Sequence, residues 1–175
     1  MWGNNLFLET PDDYLVSLDA RTGRERWHKE IASFDEQYFS TPAPVVVGNH
    51  VLVGTGNDLD APGFLQSFDP ETGDLQWKFY TVPMKPGDPG LNTWKDLDAA
   101  RHGGAQPWVP GSYDPKTHLY IFGTGNPTPA YTAQVRGEGD NLFTCSIRWL
   151  GTTKRPLTTR MIGIPPKRRS LQTCP

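Results

Sequence analysis

The stretch Asp19-Ala20-Arg21-Thr22-Gly23-Arg24-Glu25-Arg26-Trp27 returns fifty residues later as Asp69-Pro70-Glu71-Thr72-Gly73-Asp74-Leu75-Gln76-Trp77. Asp, Thr, Gly and Trp hold the same spacing in both copies. Asp-x-x-Thr-Gly is a turn sequence: the carboxylate accepts backbone N–H groups inside the turn, and Gly supplies a residue at positive φ. Alternating apolar and polar residues precede each turn, Tyr14-Leu15-Val16-Ser17-Leu18 and Phe64-Leu65-Gln66-Ser67-Phe68. Each copy therefore reads as two strands around a tight turn. Self-similarity at this period, built from strands, is the signature of propeller blades. Tyr113-Asp114-Pro115-Lys116-Thr117 reads as a weaker third copy, with His118 in the Gly position and no matching Trp. Trp27 and Trp77 read as core residues that fill the space between blades and give their N–H to a backbone acceptor.

The rest of the chain fits an all-β reading. Residues 6–8 and 14–19 predict strands around a turn at 10–13. Residues 44–47 and 50–53 predict a hairpin over Gly48-Asn49. Residues 63–69 with 74–80, 118–122 and 141–147 complete the strands, and Cys145 is expected to be buried in the last of them. A long Pro-, Gly- and Asp-rich segment spans 82–107, with one helical turn expected at 96–100; loops of that length in compact domains are usually functional or disordered.

Of 175 residues, 17 are basic and 19 acidic. Residues 149–175 hold six basic residues and no acidic one, leaving residues 1–148 at a net charge of −8. Residues 5–148 are read as part of a propeller of about three blades. Residues 149–175 are read as a basic tail outside it, disordered or the product of a shifted reading frame. No nucleic-acid partner, signal peptide or membrane span is expected, and the two cysteines form no metal or redox spacing. Open blade faces predict self-association.

Gly54-Thr55-Gly56-Asn57 and Gly123-Thr124-Gly125-Asn126 are the same tetrapeptide, each after a predicted strand. A dinucleotide loop would need a third Gly and a helix, and neither follows. The expectation is that both strands end on one face, where Gly admits a ligand close to the backbone. The side-chain oxygens of Asn57, Asp58, Asp60 and Asn126 would converge there, a donor set suited to a hard cation such as Ca²⁺.

Residues 5–148 resemble the pyrroloquinoline-quinone-dependent alcohol dehydrogenases, quinoproteins of the methanol and ethanol dehydrogenase type. Gly103-Gly104-Ala105-Gln106-Pro107-Trp108, Tyr113-Asp114-Pro115, Gly125-Asn126-Pro127 and Gly139-Asp140-Asn141-Leu142 carry the resemblance most specifically. It implies an eight-bladed parent propeller with the quinone above a Ca²⁺ or lanthanide ion. Trp108 matches the Trp beneath the quinone ring, and Asn126 matches a metal-ligating Asn. Thr41 matches a Thr that bonds the quinone carboxylates, and Gly56 and Asn57 match the backbone beside the cofactor. Asp58 stands where the family has a metal-ligating Glu, and Gln106 where it often has Thr. The family's paired cysteines and a quinone-binding Arg are not found before Leu6, and its catalytic Asp belongs beyond residue 148, so no catalytic residue is assigned. The resemblance implies oxidation of a primary alcohol by hydride transfer to the quinone, a cytochrome c-type acceptor and a periplasmic location. Turnover by this chain alone is not expected. A non-catalytic propeller scaffold is the alternative; it explains the repeats but not the spacing of Trp108 and Asn126.

Overall fold

Both full copies fold into the turn their residues specify. Asp19 Oδ1 accepts the backbone N–H groups of Arg21 and Thr22 and the Thr22 hydroxyl, each at 3.0 Å, and Asp69 Oδ1 accepts those of Glu71 and Thr72 at 2.8 and 3.1 Å. Gly23 and Gly73 take φ of +70° and +73°, the left-handed region that Gly enters at least cost. The Asp19 carboxyl, bonded by Arg26 and by this turn, is held well below the usual carboxylate range.

The computed structural model describes residues 1–151. Ten strands make three antiparallel sheets. The first contains β1 (Asn5–Glu9), β2 (Tyr14–Asp19) and β3 (Glu25–Glu30) in the order β1-β2-β3. The second contains β4 (Val45–Val47), β5 (His50–Gly54), β6 (Phe64–Phe68) and β7 (Leu75–Tyr80) in the order β4-β5-β6-β7. The third contains β8 (Ser112–Asp114), β9 (Leu119–Gly123) and β10 (Ile147–Gly151) in the order β10-β9-β8. Registers agree between copies: Ser17 pairs Trp27 and Ser67 pairs Trp77, with a register shift at the next residue in both. The β4–β5 hairpin turns over Gly48-Asn49, with Val47 opposite His50 and Gly48 at φ +60°.

The sheets stack face to face as propeller blades. β6 is buried along its whole length because both its faces are covered. Phe7, Leu15, Val51, Val53, Phe64 and Phe68 close the first interface, and Val47, Leu52, Leu65, Tyr120 and Phe122 close the second. Full burial of an apolar side chain of this size is worth about 1.5–3 kcal/mol, so these two layers hold the arc together. Leu6 on the first sheet and Ile121 and Ile147 on the third are exposed, on sheet faces that no blade covers among the described residues.

Residues 82–107 are ordered. α1 (Leu97–Arg101) is capped by Asp96, whose carboxylate accepts the Ala99 N–H at 2.7 Å. Val82, Trp94, Ala100 and Ala105 form a third small core under this segment. A second short helix, α2 (Ala133–Arg136), follows β9. No described helix is long and apolar enough to cross a membrane.

Four expectations are corrected. The Tyr113–Thr117 turn joins the first two strands of its sheet, whereas the Asp19 and Asp69 turns each join the last two of theirs. Asp114 still accepts the Lys116 N–H and the Thr117 hydroxyl, and His118 still takes φ +57°. The turn is a local device that any hairpin can use, so it does not report a strand's place in a blade. Residues 141–146 form turns, not a strand. Asn141 and Cys145 adopt positive φ, and the Thr144 and Ser146 hydroxyls bond nearby carbonyls, which competes with a ladder. Cys145 is accordingly exposed in a turn. Finally, the Trp27 N–H is buried without a partner. The ring is placed by packing, and no backbone acceptor lies within its reach.

β10 pairs with β9 through Gly151 opposite Leu119, so the expected boundary after residue 148 falls inside a strand. The remainder of the expected tail, residues 152–175, lies outside the described residues.

Candidate functional site

The repeated tetrapeptides end β5 and β9 at one face, and no helix starts directly after either: β6 is the next element after the first, and α2 begins only at Ala133 after the second. Their threonines point inward. Thr55 Oγ1 donates to Gln106 Oε1 at 2.9 Å, and Thr124 Oγ1 donates to the Phe143 carbonyl at 2.7 Å. The glycines behave otherwise than expected, because the close approach is made by the protein itself. A Cβ on Gly54 would lie 2.1 Å from the Pro107 carbonyl oxygen, one on Gly56 2.6 Å from the Phe39 ring, and one on Gly125 3.0 Å from the Trp108 ring. Two aromatic rings are thus laid over two backbone turns at the mouth of the arc.

Between them lies a cavity of about 330 Å³ lined by Phe39, Thr41, Gly56, Asn57, Asp58, Gln106, Trp108, Gly125 and Asn126. Of the residues singled out from the sequence, Thr41, Gly56, Asn57, Asp58, Gln106, Trp108 and Asn126 are on its wall and Asp60 is not. Phe39 was missed, and Gly125 was read only as part of the repeated tetrapeptide. Their signal was the pairing of each tetrapeptide with the segment crossing it, Phe39 with Gly56 and Gln106 with Gly125, which only the folded backbone supplies.

The polar atoms divide into those already used and those left for a ligand. Gln106 is spent: its oxygen accepts from Thr55, and its NH₂ donates to the Ala61 carbonyl at 3.1 Å. Its backbone carbonyl also accepts the Gly125 N–H at 2.8 Å. Asn57 is spent as well. Its oxygen accepts Leu59 and Asp60 N–H groups, and its NH₂ donates to the Glu36 and Gln37 carbonyls. Asp60 turns to His102, 3.1 Å from the ring Nδ1. The expected convergence of four side-chain oxygens is therefore reduced to two, Asp58 and Asn126. The Asn126 NH₂ is directed at the Pro127 carbonyl at 3.2 Å, which leaves its oxygen available. No group of three or more His, Cys, Asp or Glu that could hold a metal occurs among the described residues.

Thr41 Oγ1 donates to the Trp108 carbonyl at 3.2 Å, joining two walls of the cavity across 67 residues of sequence. The Trp108 side chain is 53% exposed although it is the largest ring on the wall. An exposed indole held over a glycine turn, beside one carboxylate and one free amide oxygen, suits a flat polar ligand with a hard cation.

Comparison with known proteins identifies the family. Residues 29–151 match the family described as PQQ: glucose/ethanol/alcohol dehydrogenase, beta-propeller domain. The chain is 37% identical over 162 residues to the quinohemoprotein alcohol dehydrogenase ADH IIB of Pseudomonas putida, a match that takes in 84% of this chain and 23% of that protein. It is 36% identical to the quinoprotein alcohol dehydrogenase PedH of Pseudomonas putida, over 83% of this chain and 27% of the relative. Among solved structures, a europium-containing methanol dehydrogenase superposes with a TM-score of 0.79 at 29% identity, over 86% of this chain and 29% of that one. The chain thus spans about a quarter of the length of the curated relatives it matches.

Proposed function

The chain belongs to the glucose/ethanol/alcohol dehydrogenase β-propeller family of quinoproteins, and from that footing we propose that it carries part of the site for pyrroloquinoline quinone and its metal ion in an alcohol dehydrogenase. The observation that supports this reading best is that Thr41, Gly56, Asn57, Asp58, Gln106, Trp108 and Asn126 line one cavity.

Each residue has a defined part. Trp108 offers a rigid apolar floor for a planar ring system. Thr41 presents a hydroxyl at the wall; its one proton, which the Trp108 carbonyl accepts here, would have to turn to a carboxylate of the ligand. Gly56 and Asn57 contribute backbone, which the fully bonded Asn57 side chain holds in place. Gln106 backs the wall from inside. Asp58 and Asn126 supply one charged and one neutral oxygen, hard ligands that fit Ca²⁺ or a lanthanide. When bound, the quinone supplies the hydride acceptor and the ion the Lewis acidity for oxidation of a primary alcohol. No base is assigned among the residues of this chain, so its part is to bind and orient, and turnover is not expected of it alone. A periplasmic setting and a cytochrome c-type electron acceptor follow from the family resemblance alone.

The test is titration of the full chain with pyrroloquinoline quinone and Ca²⁺, read by quenching of tryptophan fluorescence. Saturable quenching that is lost in Trp108→Ala supports the reading. Quenching that does not saturate, or that survives Trp108→Ala, overturns it and leaves the propeller as a scaffold.

A further inference from the structure

Glu9 and Asp13 occupy places where the next blade has glycine. Glu9 pairs with Leu15 as Gly54 pairs with Leu65, the residue fifty positions after Leu15. Asp13 stands fifty residues before Gly63. In the second blade those glycines are covered directly by backbone: a Cβ on Gly54 would meet the Pro107 carbonyl, and one on Gly63 would lie 2.4 Å from the Ala105 carbonyl oxygen. The covering segment leads straight into Trp108. The matching segment over the first blade leads through Ser40 into Thr41. There two carboxyl groups fill the space, and Ser40 Oγ donates to Asp13 Oδ1. Asp13 is fully buried at φ +70°, a conformation glycine would take at less cost. The one hydroxyl proton of Ser40 goes to Asp13, so both Glu9 oxygens and Asp13 Oδ2 are buried without a donor.

We propose that Asp13, through Ser40, is a positioning residue for Thr41 and its bond to Trp108, and that the charge on Glu9 sets how firmly that wall is held. The wall is the one assigned above to the quinone, so the ligand arm of the test rests on that reading. Burial, reinforced by the Asp13 charge, pushes the Glu9 carboxyl up to about 9. Burial pushes Asp13 up to about 6; Ser40 and Lys78 oppose the rise, and Asp12 and Glu30 add to it. The phenols of Tyr38 and Tyr120 complete the surrounding titratable groups. Between these values the pair keeps one proton. Above the upper one a second charge appears beside Asp13 with no donor to meet it, and Ser40 is displaced.

The test uses the full chain, with Trp108 emission taken as the difference between the parent and Trp108→Phe, followed from pH 6 to 10. A step near pH 9 is expected, absent in Glu9→Gln, which keeps the shape of the neutral acid, and absent in Ser40→Ala. A flat parent profile, or a step that persists in Glu9→Gln, overturns the proposal. Adding the quinone separates the two readings. Its affinity should fall several-fold across the same step in the parent and stay level in Glu9→Gln. Saturable quenching with no step defeats this inference alone, and a step with no quenching at any pH defeats the quinone reading alone.

Discussion

The indole of Trp27 lies against Gly73, so close that a Cβ on Gly73 would come within 2.7 Å of the ring. The Trp of one copy of the repeat is thus docked on the Gly of the next. Lys29 strengthens the contact by pairing with Asp74 at 3.5 Å, on the same turn. Gly73 answers two demands at once, a positive φ for its own turn and an open surface for its neighbour's ring.

Trp27→Ala is expected to destabilise the chain by about 3 kcal/mol, the lower end for loss of a large aromatic, because the ring is only partly buried. Gly73→Val should cost at least as much, by steric conflict and by φ. Urea denaturation of the full chain measures both. A loss under about 0.5 kcal/mol for Trp27→Ala, the range of ordinary surface substitutions, would show that the blades are not joined through this contact.

Glu9 gives stability a pH dependence with a definite sign. Its folded-state value is raised, so the folded chain binds the proton more tightly than the unfolded one. The contribution is complete below the ordinary Glu value of 4.5 and is lost as pH rises to about 9. The thermal midpoint should decline over that window in the parent and decline less in Glu9→Gln. Parallel profiles would contradict the burial of this carboxyl.

Thr55→Val keeps shape and removes the donor to Gln106 Oε1. A buried acceptor left unpaired costs about 1–3 kcal/mol. Denaturant unfolding should register that loss. It should also bring weaker quinone binding, because Gln106 backs the wall that carries Trp108. Unchanged binding would show that the wall does not depend on this bond.

Asp58 and Asn126 are testable with Tb³⁺, whose luminescence Trp108 would sensitise. Asp58→Asn should weaken Tb³⁺ binding more than Asn126→Ala does, because it removes the only charge of the pair. Equal luminescence in parent and Asp58→Asn would remove Asp58 from the metal shell.

Gly56→Ala places a methyl group where the Phe39 ring lies, 2.6 Å away. The ring must shift, which alters the cavity. Weaker quinone binding with little change in unfolding free energy is expected; unchanged binding would place Phe39 outside the site.

The repeat, its turns and its strands were legible in the chain because each is decided within a few residues. A carboxylate that reaches N–H groups two and three residues on, a Gly that allows positive φ, and a period-two apolar face need no distant partner. The cavity residues were legible through family motifs, yet what their side chains do was not. Asn57 and Gln106 have the same donor and acceptor groups as Asn126, and only the fold spends theirs on the Glu36, Gln37, Thr55 and Ala61 groups around them. Glu9 and Asp13 read as ordinary polar residues beside a turn until a second blade covers them. The sequence alone determined the first two blades, since their signals are local. Tertiary structure decided which polar atoms remain free and which acids are buried, because those depend on segments that meet only when the sheets stack.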